Sequence, residues 1–129
     1  MDQEAITTFI HDYVAMWHEH DPQRRHEIVR RLWAADAENA SRTFVVRGLA
    51  EITGRVDRAH AQWVVEKGFV FRPLDPAAPA DGHHDVVRFR WEMVPQAGGA
   101  AAARGLDIFV LRDDGRIGAL YQFGEPLPV

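Results

Sequence analysis

The run from Gly105 to Ile117 constrains the fold most. Asp114-Gly115 sits between two apolar runs, and glycine accepts the positive φ that a tight hairpin turn demands. The first run is apolar on both faces, with Leu106, Ile108 and Val110 on one and Phe109 and Leu111 on the other. A strand of that kind must be covered on both sides. Asp107 interrupts it on the face of Phe109 and Leu111. A carboxylate among apolar neighbours is disfavoured as the anion, so its pKa rises. Asp107 is therefore either a functional acid or a structural acid with a hidden partner.

The 129 residues suffice for one domain that buries a core without staples. The chain has no cysteine, which removes thiol chemistry, disulfides and cysteine-ligated metal. A net charge of −4 carries no electrostatic footprint for nucleic acid or an anionic membrane. Neither a signal-like segment nor a membrane-spanning apolar run is present. The expectation is a soluble cytoplasmic protein, folded as a single domain over residues 1–129.

Apolar spacing predicts a helix over 2–18, with Asp2 as its N-cap and Ile6, Phe9, Ile10, Tyr13, Val14 and Trp17 on one stripe. Asp21-Pro22 opens a second helix reaching to about Ala35. Residues 36–48 read as irregular with short extended pieces. A third helix is expected over 49–66, with His60 and Trp63 on its inner stripe, ended by Lys67-Gly68. A strand follows over 69–74, a proline- and alanine-rich loop over 75–82, and a long alternating strand over 83–94. In that strand His83, Asp85, Val87, Phe89, Trp91 and Met93 share one face. The 105–111 strand and a last one carrying Ile117, Ala119, Tyr121 and Phe123 complete an α+β order, helices first and antiparallel strands after.

Particular words in this order carry a resemblance. They are Tyr13-Val14-Ala15-Met16-Trp17 before Asp21, Leu32-Trp33-Ala34-Ala35-Asp36-Ala37, Val46-Arg47-Gly48 and His83-His84-Asp85-Val86-Val87-Arg88-Phe89 with Trp91. The hairpin stretch ending Tyr121-Gln122-Phe123 completes the set. Over nearly the whole chain they resemble the nuclear transport factor 2-like superfamily, and its SnoaL-like branch above all, related to polyketide cyclases and ketosteroid isomerases. The resemblance implies a cystatin-like cone of three N-terminal helices packed on a curved, mostly antiparallel sheet around an apolar pocket. It also implies a homodimer through the outer face of the sheet, and a small apolar molecule as partner. In the isomerases of the superfamily, the places of Tyr13 and Asp107 hold an oxyanion-hole tyrosine and a protonated aspartic acid. Such an acid, kept neutral by apolar surroundings, can donate to a developing enolate. The place of the proton-shuttling aspartate holds Ser41 here, whose hydroxyl cannot take a C–H proton unaided.

The candidate catalytic residues are Asp107, Tyr13 and, as a replacement base, His60. Each has a plainer reading: Asp107 as a scaffold acid paired with Arg88, Arg104 or Tyr13, Tyr13 as a core tyrosine, His60 as a satisfied core histidine. The candidate ligand-binding residues are Trp17, Trp63, Phe71, Trp91, Phe109 and Tyr121, with His83 at the rim. Adjacent His83 and His84 point to opposite faces of a strand and cannot share an ion, so no metal and no organic cofactor is expected. Two classes of function stay open. One is acid–base isomerase or cyclase chemistry on a hydrophobic carbonyl compound, and the other is a non-catalytic ligand-binding or dimerisation module.

Overall fold

The structure, a computed structural model, describes residues 1–127, so the last two positions of the domain expected over 1–129 lie outside the described residues. Helix α1 (Gln3–His18) begins where expected: the Asp2 carboxylate accepts the Ala5 N–H at 2.8 Å. Helix α2 (Pro22–Leu32) repeats the device, with Asp21 accepting the Gln23 N–H at 2.9 Å and Pro22 in the first turn.

Helix α2 stops at Leu32, short of the expected Ala35. From there the chain is regular where irregular structure was expected: strand β1 spans Trp33–Ala40 and pairs antiparallel with β2 (Val45–Arg47). Alanine-rich Ala34–Ala37 favours helix locally, but burial of Trp33, Ala37 and Asn39 and a hydrogen-bonded ladder outweigh that weak preference. Helix α3 (Gly48–Ala59) is entered through Gly48 at φ 82 and continues as a π-helical segment, His60–Glu66. The three helices are thus not all N-terminal to the sheet, because a β-hairpin precedes the third.

Strands β3 (Phe69–Pro73), β4 (Asp81–His83), β5 (Val86–Pro95), β6 (Ala103–Leu111) and β7 (Ile117–Glu125) follow. The long strand expected over 83–94 is a hairpin, with His84 turning at φ 52 between β4 and β5. The sheet runs β2-β1-β7-β6-β5-β3, with β4 on the same edge of β5 as β3. It is mixed, since β1 lies parallel to β7.

The β6–β7 hairpin turns with Gly115 at φ 83 and aligns Asp107 with Gln122 and Ile108 with Tyr121. Helix α1 lays Phe9, Tyr13 and Trp17 against the inner face of the sheet, where Phe89, Phe109 and Leu120 are fully buried. Each such side chain contributes about 1.5–3 kcal/mol of burial free energy. Among the described residues no helix is long and apolar enough to cross a membrane.

Candidate functional site

Asp107 lies on the inner face of β6, fully buried, where α1 crosses the sheet. The Tyr13 hydroxyl donates to its Oδ2 at 2.7 Å. The Trp91 indole N–H donates to Oδ1 at 3.0 Å, and the Gln122 amide adds a longer bond to the same oxygen at 3.4 Å. Neither Arg88 nor Arg104 reaches it: the first pairs with Asp81 and the second with Glu92. Burial pushes the Asp107 carboxyl up from an ordinary 3.8 to about 6, although all three donors favour the anion. Burial beside that carboxyl also pushes the Tyr13 phenol well above its usual range, so it stays a donor.

The pair does not open onto empty space. The cavity, of about 120 Å³, lies one side chain away. Its walls are Trp17, Trp63, Phe69, Phe71, Trp91, Val64 and Met93, with Ala59 between helix turns and Arg55 and Gln122 as its polar groups. Trp91 and Gln122 therefore touch the cavity on one side and Asp107 on the other. Arg55, Trp91 and Gln122 also line a wider open cleft of about 920 Å³ bordered by Ser41, Thr43, Tyr121 and Phe123. The cavity thus adjoins a path to solvent.

Local structure explains the placements. Trp91 can fold over β6 because its partner across the ladder is Gly105, where a Cβ would overlap the indole ring. Phe71 is held by the end of α1: its N–H donates to His18 Nε2 at 3.0 Å, while His18 Nδ1–H donates to the Val14 carbonyl at 2.9 Å. Both ring nitrogens are used by the neutral form, and burial lowers the His18 pKa from its ordinary 6.5. Trp63 and Val64 reach the cavity from the π-helical segment.

Of the residues expected at a ligand pocket, Trp17, Trp63, Phe71 and Trp91 meet around this cavity. Phe109 stands behind it, fully buried against Phe9 and Tyr13. Tyr121 faces the other side of the sheet, 40 % exposed, because alternation sends Gln122 inward instead. His83 is exposed on β4 and touches His84, away from the walls. His60 has no free nitrogen: Nδ1–H donates to the Trp17 carbonyl at 2.8 Å, and Nε2 accepts from His20 at 3.3 Å. Ser41, half-buried at the end of β1, bonds Thr43. Among the described residues no three His, Asp or Glu side chains are placed to hold a metal ion.

Sequence reasoning missed Arg55 and Gln122. A signal existed for both. The hairpin turn at Asp114-Gly115, with one shift of register beyond it, sets Gln122 opposite Asp107, and Arg55 falls one helical turn before Ala59 and two before Trp63.

No protein-family model matches the chain, and no curated protein matches it as a relative. Solved structures do match. A candidate isomerase of the SnoaL-like family from Agrobacterium tumefaciens is 26% identical, with a TM-score of 0.81 over 93% of this chain and 97% of that one. A SnoaL-like protein of unknown function from Burkholderia thailandensis gives a TM-score of 0.74 at 14% identity, over 98% and 99% of the two chains. A candidate polyketide cyclase from Sinorhizobium meliloti gives 0.64 at 17% identity, over 95% and 99%.

Proposed function

We propose that this chain, which has the nuclear transport factor 2-like fold and is similar to its SnoaL-like branch, works as a receptor for a small, flat, apolar molecule. The observation that carries this reading is the cavity itself. Five aromatic side chains from α1, the π-helical segment, β3 and β5 converge on one hollow whose polar residues are Arg55 and Gln122, a composition suited to apolar ligands. Binding is favoured over turnover because the acid–base groups are engaged. Both Asp107 oxygens accept hydrogen bonds, both His60 nitrogens are occupied, and Ser41 supplies no base.

The direct test uses a neutral fluorescent probe, N-phenyl-1-naphthylamine. It should bind the full chain with enhanced emission. Ala59→Phe, which fills the hollow while adding apolar volume, should weaken binding about tenfold or more. Equal binding by the variant would place the probe elsewhere and remove this reading.

A second reading has one observation in its favour. Asp107, with a pKa of about 6, is screened from the cavity by Trp91 and by a Gln122 bond of 3.4 Å. A ligand that displaces Gln122 meets a carboxylate poised to accept a proton near neutral pH, the requirement for isomerase or cyclase chemistry on an apolar carbonyl compound. Exchange of the α-protons of 2-tetralone in D2O, followed by magnetic resonance, tests it. Exchange by the native chain that Asp107→Asn abolishes supports turnover, and no exchange above buffer removes it.

The outer face belongs to the same proposal. Phe123 is 56 % exposed and Tyr121 40 % exposed beside half-buried Leu106 and Ile108, an apolar patch suited to a second copy of the chain.

A further inference from the structure

We propose that the cavity selects ligands that carry a carboxylate, held by the Arg55 guanidinium and the Trp17 indole N–H. This rests on the receptor reading and adds the chemistry of the ligand to it.

Among the described residues Arg55 is the one arginine or lysine that is half-buried, rather than exposed, and lacks a counter-ion. Arg30, Arg42, Arg58 and Lys67 also lack a carboxylate within 4 Å, but all four are exposed to water. Arg25, which is buried, is paired with Asp57 at 2.8 Å. Arg55 instead stacks over Phe44 at 4.3 Å and Trp17 at 5.5 Å, and donates one bond to Gln122 at 3.2 Å. Burial lowers its pKa, the mark of a charge stripped of water. A desolvated cation without an anion is costly, and the cost is offset when a ligand brings the anion.

Two residues of this wall carry an orphan donor. The Nε–H of Arg55 and the Nε1–H of Trp17 have no hydrogen-bond partner, although Trp17 is only 7 % exposed. Buried N–H groups without partners are rare in folded proteins and call for an explanation. Nothing else on the wall can serve them. Gln122 already spends its oxygen on Arg55 and Asn39 and its amide N–H on Asp107, and the remaining lining is apolar. Asp107 is held by Tyr13 and Trp91 on the far side of Gln122. A neutral carbonyl would leave the charge unpaired. A carboxylate has two oxygens for two donors and the charge that Arg55 lacks.

The test compares 2-naphthoate with 2-naphthamide, the same ring system with a neutral end, on the full chain. The acid should bind about tenfold or more tightly, the usual scale of a charge-assisted bond out of water. Addition of 2-naphthoate to nitrogen-labelled protein should shift the Arg55 Nε–H and Trp17 Nε1–H resonances. Arg55→Gln should abolish the preference, and Trp17→Phe, which keeps the ring and deletes the N–H, should reduce it. Equal affinity for acid and amide overturns the carboxylate proposal and leaves the receptor reading standing. So does a preference that survives Arg55→Gln, or naphthoate binding that leaves both resonances unmoved; the last needs no variant to fold. Failure of both compounds and of N-phenyl-1-naphthylamine to bind removes both proposals.

Discussion

Asp107 is a charge that the fold tolerates at a cost. With its pKa raised from 3.8 to about 6, the folded state holds a proton in that interval which the unfolded chain releases. Stability therefore falls as pH rises from about 4 to about 6, by about 3 kcal/mol in all, and the slope from this group vanishes above that window. Denaturant unfolding across the interval, native against Asp107→Asn, checks it: only the native chain should show this slope. The Tyr13 bond favours the carboxylate, so Tyr13→Phe should move the Asp107 titration above 6, read by carbon-detected magnetic resonance. His18 has the opposite sign. Its lowered pKa means that the unfolded chain takes up a proton first, so its contribution is complete above about 6.5 and is lost as pH falls. As the ring protonates, Nε2 ceases to accept, and the Phe71 amide should exchange faster with solvent over the same pH range.

At the scale of elements, much was legible and the exceptions share a cause. The α1 and α2 starts follow from Asp2, Asp21 and Pro22, whose capping chemistry is local. The β6–β7 hairpin follows from Asp114-Gly115 between apolar runs. Strand β1 was not legible, because Ala34–Ala37 prefers helix and only the ladders with β2 and β7 hold the strand extended. Strand β4 was read into β5 because alternation continues through His83–Val87, and the turn at His84 breaks it without a glycine. Packing between elements makes Gly105 the sharpest target. Gly105→Ala drives a methyl into the Trp91 ring, displacing the indole from both Asp107 and the cavity. We expect about 1–3 kcal/mol of destabilisation in denaturant unfolding, together with weaker probe binding.

For the whole molecule, the sheet has one face turned to the helices and one turned outward. The outward one carries Phe123 and Tyr121 among the ion pairs Arg88–Asp81 and Arg90–Glu125, a polar rim around an apolar centre. Sedimentation should give a dimer for the native chain and a monomer of unchanged fold for Phe123→Asp; a native monomer at tens of micromolar removes the proposed pairing. Sequence alone determined the helical stripes, the caps, the hairpin turn and the isolation of Asp107 among apolar residues, because these depend on neighbours within a few positions. Only the tertiary structure decided that Tyr13 closes on Asp107, that Trp91 and Gln122 stand between that pair and the cavity, and that Arg55 is left without an anion. Those facts depend on where α1, α3 and the sheet meet, across separations of tens of residues that no local pattern encodes.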